Sequence, residues 1–182
     1  TLIDALIERE EAPPELVMER AGLLIEVGQL RKAREDIEWV LEEDENNIRA
    51  IFQRGKISSR FGDYDSSIED FTTVLDEEPE HIDALLERAR TYLELDNPDS
   101  ALDDADAALE VDDDNARAYA RRADAYSKKG EIDKAKEDYE LALELDPTMA
   151  DVAYTYGMIL LGLGDVDGAR EQFEMAVEHG NR

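Results

Sequence analysis

The fold is decided by the stretch AYARRADAYSKKGEIDKAKEDYELALELDP, residues 118–147. Small and aromatic residues recur in it at helical spacing, before Gly130 at Ala118, Tyr119, Ala123 and Tyr126, and after it at Ala135, Tyr139, Ala142 and Leu143. Gly130 tolerates the left-handed conformation that ends a helix, and Pro147 cannot continue one. The stretch therefore predicts two antiparallel helices that approach closely through their alanines.

The same pattern returns with a period of 34 residues. The predicted turn falls at Gly28, Gly62, Asp96, Gly130 and Gly164, which divides the chain into blocks 14–47, 48–81, 82–115, 116–149 and 150–182. We number the places within a block from 1 to 34 and call its two helices the first and the second helix. One hairpin cannot bury its own apolar face, so we expect the blocks to stack into a solenoid. Asp96 tolerates a left-handed turn and Pro98 suits a first helical turn, so we expect the same hairpin in block three.

These blocks resemble the tetratricopeptide repeat, a 34-residue helix-turn-helix unit, over residues 14–182. The resemblance implies an all-α fold, a right-handed superhelical solenoid of antiparallel helix pairs with one repeat in each block. It also implies a concave groove, lined by the first helices, that commonly holds a peptide or a partner helix. The family has no shared catalytic site. We expect residues 1–13 to form an N-terminal helix that caps block one or belongs to a partial repeat.

The composition excludes several classes of function. The chain has 182 residues, a formal net charge of −28, no cysteine and two histidines. Nucleic acid and anionic membrane surfaces repel such a chain, and no apolar run is long enough to span a membrane. Without cysteine there is neither a thiolate metal site nor thiol catalysis. The acidic turns at 112–115 and 165–168 are expected to be solvated, so we predict no metal, no cofactor and no enzymatic activity.

The charge also indicates the kind of organism and the compartment from which the protein comes. Acids are abundant and lysine is scarce, a balance that is typical of a salt-adapted organism and of its cytoplasm. It fits equally well an acidic protein whose basic partner or neighbouring segment is missing. We expect a cytoplasmic protein.

The groove that the resemblance implies can be assigned to residues. In the family, places 2, 5, 6, 9, 12 and 13 commonly face it, and here those places concentrate the cations of a very acidic chain. The residues expected to bind a partner are Arg49, Phe52, Lys56, Arg60, Leu86, Arg90, Arg117, Arg121, Tyr154 and Met158. Arginines around exposed Phe52, Leu86 and Tyr154 suit an acidic peptide with an apolar anchor. Alternatively, these side chains cover neighbouring repeats and pair with nearby acids.

A second pattern pairs arginine with aspartate. Place 7 carries Arg20, Arg54, Arg88 and Arg122, and place 23 carries Asp36, Asp70, Asp104 and Asp138. Block five has neither residue and carries Tyr156 and Gln172. One alternative is a row of arginines for an anionic ligand. Because each Arg has its own Asp sixteen residues away, we favour structural ion pairs that set the helix register, and we expect the paired carboxylates to have lowered pKa values.

Taken together, these features predict a non-enzymatic scaffold that binds a protein or peptide in its groove. Two other functions stay open at this point. The chain could be a self-assembly module that packs through uncapped ends, and so a homo-oligomer. It could also be a docking or regulatory segment of a larger enzyme.

Overall fold

A computed structural model describes residues 12–180, and every regular element within them is an α-helix. The helices are α1 (Pro14–Glu26), α2 (Leu30–Glu43), α3 (Ile48–Phe61), α4 (Tyr64–Glu77), α5 (Ile82–Glu94), α6 (Pro98–Val111), α7 (Ala116–Lys129), α8 (Ile132–Leu145), α9 (Ala150–Gly162) and α10 (Val166–Gly180). They pair as antiparallel hairpins, and α1, α3, α5, α7 and α9 are the first helices of the five blocks. The N-terminal helix expected over residues 1–13 lies outside the described residues, apart from Ala12 and Pro13.

The chain forms two compact units, Thr1–Glu87 and Arg88–Arg182, with the boundary inside α5. In the first unit, α1, α2 and α3 share an apolar core that contains Val17, Ile37 and Ile57, all fully buried. In the second unit, α7, α8, α9 and α10 share a core built around Tyr139 and Leu160. Alanines fill the remaining space between helices in both cores, as expected where helix axes approach closely.

The turns inside the hairpins adopt left-handed backbone conformations. Gly130 ends α7 with φ 76°, a conformation that costs glycine little because it has no Cβ atom. Asp96, the residue at the same place in block three, has φ 56°, and Pro98 then begins α6. The prediction that block three forms the same hairpin without a glycine is therefore confirmed.

The starts of several helices are fixed by side-chain caps. Asn47 Oδ1 accepts a hydrogen bond of 3.1 Å from the Ala50 amide at the start of α3, and Asn115 Oδ1 accepts one of 3.1 Å from the Ala118 amide at the start of α7. In block two, place 34 is His81, whose Nδ1 accepts a bond of 3.2 Å from the Ala84 amide. Each cap satisfies one of the amide groups that a helix N-terminus leaves without a backbone partner.

The described helices also bear on membranes and metals. None of the helices within residues 12–180 is both long and apolar enough to cross a membrane. In the same part of the chain, no three acidic or histidine side chains converge in a way that could hold a metal ion.

Candidate functional site

In the first unit, the cationic part of the predicted groove lies on α3. Arg49, Phe52, Lys56 and Arg60 recur every three or four residues, and so lie on one face of this helix. The Phe52 ring is half-buried, with its centroid 5.8 Å from that of Phe71, and Lys56 Nζ lies 5.5 Å from the Phe52 centroid. Arg49 and Arg60 are exposed, and neither forms an ion pair within residues 12–180. We call these four residues the α3 face.

In the second unit, the predicted groove arginines differ in their exposure and in their contacts. Arg117 on α7 is exposed, whereas Arg90 on α5 is half-buried. Arg121 forms an ion pair of 2.9 Å with Asp124, whose other oxygen accepts a hydrogen bond of 2.7 Å from the Tyr139 hydroxyl. Burial and the neighbouring carboxylate raise the pKa of Tyr139, so the hydroxyl remains a donor. Arg121 is therefore partly neutralised inside the unit.

The second unit also exposes an apolar row on α9. Tyr154 is 56% exposed and Met158 is 48% exposed, and the two lie one turn apart on this helix. The Tyr154 ring lies 5.6 Å from that of Phe173 on α10, which orients it. This row offers a contact surface for an apolar side chain.

Leu86 does not belong to this exposed set. It is only 2% exposed, so the expectation that it is an exposed groove residue is wrong. Met18 and Ala120 occupy the same place in blocks one and four, and both are buried within apolar clusters. Place 5 is therefore mainly a packing position, and only in block five, at Tyr154, is its side chain largely exposed.

The structure brings each predicted Arg–Asp pair together across its own hairpin. Arg88 Nε lies 2.9 Å from Asp104 Oδ2, and its Nη2 lies 2.7 Å from Oδ1, a bidentate geometry. The equivalent distances are 3.0 and 2.6 Å for Arg54 with Asp70, and 2.7 and 2.8 Å for Arg122 with Asp138. Arg20 and Asp36 form the same pair, with Nε 2.7 Å from Oδ2.

These pairs are buried on their acidic side. All four aspartates are buried, while the guanidinium groups are partly exposed. Burial raises the pKa of Asp104 and Asp70 above the ordinary value, although the hydrogen bonds from Arg88 and Arg54 oppose this shift. The expectation of lowered carboxylate pKa values is therefore wrong for these two groups, because the loss of hydration outweighs the attraction of the partner.

A contact between successive blocks was not predicted from the sequence. Arg122 Nη1 also donates to Asp106 Oδ1 of block three at 2.9 Å, and the Tyr156 hydroxyl donates to Glu140 Oε1 of block four at 2.6 Å. Asp106 and Glu140 both occupy place 25. In blocks four and five, the side chain at place 7 thus links its block to place 25 of the preceding one.

Block five shows what happens when the Arg–Asp pair is replaced. Because the Tyr156 hydroxyl turns to Glu140, it does not reach Gln172, the residue at place 23. The Oε1 atom of Gln172 is buried without a hydrogen-bond partner within the described residues. Tyr156 and Gln172 therefore do not pair with each other as Arg122 and Asp138 do in block four. What blocks four and five share is the contact from place 7 to place 25 of the preceding block.

Comparison with known proteins bears on the family and the fold. Two models of the tetratricopeptide repeat (TPR) match the sequence, one over residues 116–149 and one over residues 60–120. No protein of curated function matches the sequence significantly.

Several solved structures have the same fold. A thermophilic TPR protein of Thermus thermophilus is 20% identical, with a TM-score of 0.83 over 92% of this chain and 91% of that one. MamA from Desulfovibrio magneticus RS-1, from residue 41 to its end, is 22% identical, with a TM-score of 0.74 over 92% and 94% of the two chains. YrrB, a TPR protein with an unusual peptide-binding site, is 21% identical, with a TM-score of 0.67 over 98% and 92%. The helical hairpins in phase with a 34-residue period and the two matching family models show that this chain belongs to the tetratricopeptide repeat family.

Proposed function

We propose that the chain is a non-enzymatic scaffold that binds an acidic peptide with an apolar anchor on its first helices. The family supports the general part of this proposal, because tetratricopeptide repeats typically serve as protein-interaction scaffolds without catalytic activity. The fold neighbour YrrB has a peptide-binding site, which is consistent with the same use of the fold. The chemistry of the ligand follows from the residues of this chain.

The α3 face carries the proposal. Two exposed guanidinium groups, Arg49 and Arg60, lie on the same face as the Phe52 ring in a chain with a net charge of −28. Neither arginine is neutralised by an ion pair within the described residues, so both are available to a carboxylate. The ring supplies an apolar contact between them, and Lys56 above it adds a third positive charge.

The second unit adds surfaces of the same two kinds. Arg117 is an exposed cation on α7, and Tyr154 and Met158 form an exposed apolar row on α9. Arg121 contributes less, because Asp124 already neutralises it. Within the first unit we therefore place the binding surface on the α3 face, and within the second unit we place the strongest apolar contribution on α9.

The test is a fluorescence anisotropy titration with peptides of matched length. We expect peptides rich in Asp and Glu with one Leu or Trp to bind more tightly than the same peptides with Lys in place of the acids. Added salt should weaken the binding, because it screens exposed charges. Reversing Arg49 and Arg60 to Glu should weaken it about tenfold or more, as the loss of two charge contacts implies.

A matched control is Arg31 on α2, which is also exposed and forms no ion pair within residues 12–180. Arg31→Glu changes the net charge in the same direction but lies outside the α3 face. An equal loss of binding in this variant would show that only the overall charge matters. A preference for the lysine peptides would overturn the proposal.

A further inference from the structure

The cap at the start of α5 is made by a histidine, whereas asparagine makes it at the same place in two other blocks. Asn47 and Asn115 accept through an amide oxygen, which takes up no proton near neutral pH. His81 accepts a hydrogen bond of 3.2 Å from the Ala84 amide through Nδ1. An imidazole nitrogen can accept only while it carries no proton. This cap therefore exists only with the neutral imidazole ring.

The orientation of the His81 ring that makes the cap also packs this ring on α3. Its centroid lies 5.0 Å from that of Phe52, and the two ring planes are tilted by 37°. The Phe52 ring in turn lies 5.8 Å from the fully buried ring of Phe71 on α4. The His81 side chain is itself half-buried. A single side-chain orientation thus joins the start of α5 to α3.

The surroundings of the cap disfavour a positive charge on this ring. Protonation at Nδ1 would put an N–H group of the ring against the Ala84 N–H, and the ring lies at the positive end of the α5 dipole. On α3, Lys56 Nζ lies 5.5 Å from the centroid of the Phe52 ring, and Arg49 lies one turn before Phe52. A protonated His81 is therefore repelled from the position that it holds in this structure.

Carboxylates surround the turn that carries His81. Glu78 and Glu80 line the same surface cleft as His81, and both are exposed. Glu77 ends α4, and Asp83 lies in the first turn of α5. The His81 amide donates to the Glu78 carbonyl oxygen at 3.0 Å, a bond that does not involve the imidazole. A charged ring can therefore move toward these acids while the backbone of the turn is kept.

We propose that His81 is a pH-sensitive cap. The neutral ring caps α5 and packs on Phe52, and the protonated ring leaves both contacts and turns toward Glu78 and Glu80. The change falls between pH 5 and pH 8, the range in which histidine side chains take up a proton. It leaves the Ala84 amide with the His81 carbonyl oxygen, 2.9 Å away, as its acceptor, and it uncovers one side of the Phe52 ring. The proposal does not depend on the peptide-binding function, although Phe52 belongs to the α3 face.

The test is NMR spectroscopy of the full chain at pH 8 and pH 5, with His81→Asn as the matched variant. Asparagine makes this cap in blocks one and three, so the variant should fold and keep a cap that does not titrate. The chain has two histidines, and the ring signal that the variant lacks belongs to His81. We expect this signal to report protonation between the two pH values. Nuclear Overhauser contacts between the His81 and Phe52 rings should be present at pH 8 and lost at pH 5.

Hydrogen exchange of the Ala84 amide gives a second measurement. The Ala118 amide, which Asn115 caps, is the internal control, because the ratio of the two exchange rates removes the general pH dependence of amide exchange. From pH 8 to pH 5, we expect the ratio of the Ala84 rate to the Ala118 rate to rise about threefold or more in the native chain, in keeping with the loss of one N-cap. In the His81→Asn variant the ratio should stay constant.

Three results would overturn the proposal. The first is a His81 ring that takes up no proton between pH 8 and pH 5. The second is a protonated ring that keeps its contacts with Phe52 and leaves the exchange ratio unchanged. The third is the same rise of the ratio in the His81→Asn variant, because this result would assign the change to the neighbouring carboxylates.

Discussion

Removing the arginine of a buried ion pair should destabilise this protein strongly at neutral pH and much less at acidic pH. We choose Arg88→Ala, because the Arg88 side chain is the least exposed of the four place 7 arginines and makes a bidentate contact with Asp104. The substitution leaves a buried carboxyl group without this partner. The fold can respond by protonating Asp104, and the cost of protonation then limits the loss of stability.

The magnitude follows from the ordinary pKa of aspartate. Neutralising a carboxyl group of pKa ~3.9 at pH 7 costs about 4 kcal/mol, at ~1.4 kcal/mol per pH unit. This limit agrees with the ~3–5 kcal/mol that breaking one side of a buried pair usually costs. Because burial raises the native pKa of Asp104 above the ordinary value, these figures are upper limits, and we expect Arg88→Ala to lower the free energy of unfolding by up to about 4 kcal/mol at pH 7 and by no more than about 1.5 kcal/mol at pH 5.

The assay is urea unfolding followed by circular dichroism, with Asp104→Ala and the double variant completing a double-mutant cycle. The control is Arg170→Ala, because the Arg170–Asp167 pair is exposed on both sides and should contribute less than about 1 kcal/mol. A coupling energy near zero would reject the role of the pair in setting the hairpin. A cost for Arg88→Ala that does not change between pH 7 and pH 5 would refute the reasoning about the buried charge.

Further predictions concern titration, salt and packing. Burial raises the pKa of Asp104 above ~3.9, so the native state keeps the proton of this carboxyl group to a higher pH than the unfolded state does. As the pH rises between the unfolded-state pKa and the native-state pKa, this group therefore lowers the free energy of unfolding. Carboxyl-carbon NMR should give a midpoint above ~3.9, and a lower midpoint would contradict the shift. The melting temperature should rise from low salt to molar KCl, because salt screens the repulsion within a chain of net charge −28, and a flat or falling curve would show that internal ion pairs dominate. Gly157→Ala should destabilise the fold by about 1–3 kcal/mol, because the added Cβ would lie 2.7 Å from the Phe173 ring. Gly22→Ala should instead stabilise α1 by about 0.5–1 kcal/mol, because the space around Gly22 is open. Equal effects of the two substitutions in thermal unfolding would argue against close packing at Gly157.

The sequence by itself determined the helical hairpins and their period. Local rules suffice for this, because Gly130 and Asp96 accept left-handed turns, Pro98 begins a helix, and apolar residues at helical spacing define the buried sides. The recurrence of Arg at place 7 and Asp at place 23 also identified these residues as ion-pair partners, because a hairpin with a fixed turn brings the two places together.

Only the tertiary structure decided how exposed each side chain is. Leu86 and Tyr154 occupy the same place in their blocks, yet one is buried and the other is exposed, because burial depends on which helices pack around a position. The direction of the pKa shift of Asp104 likewise needed the structure, since the loss of hydration and the attraction of Arg88 oppose each other and only the depth of burial decides between them. The hydrogen bond from Tyr156 to Glu140 joins two successive hairpins, and a repeat pattern gives the period of such hairpins but not the side-chain contacts between them.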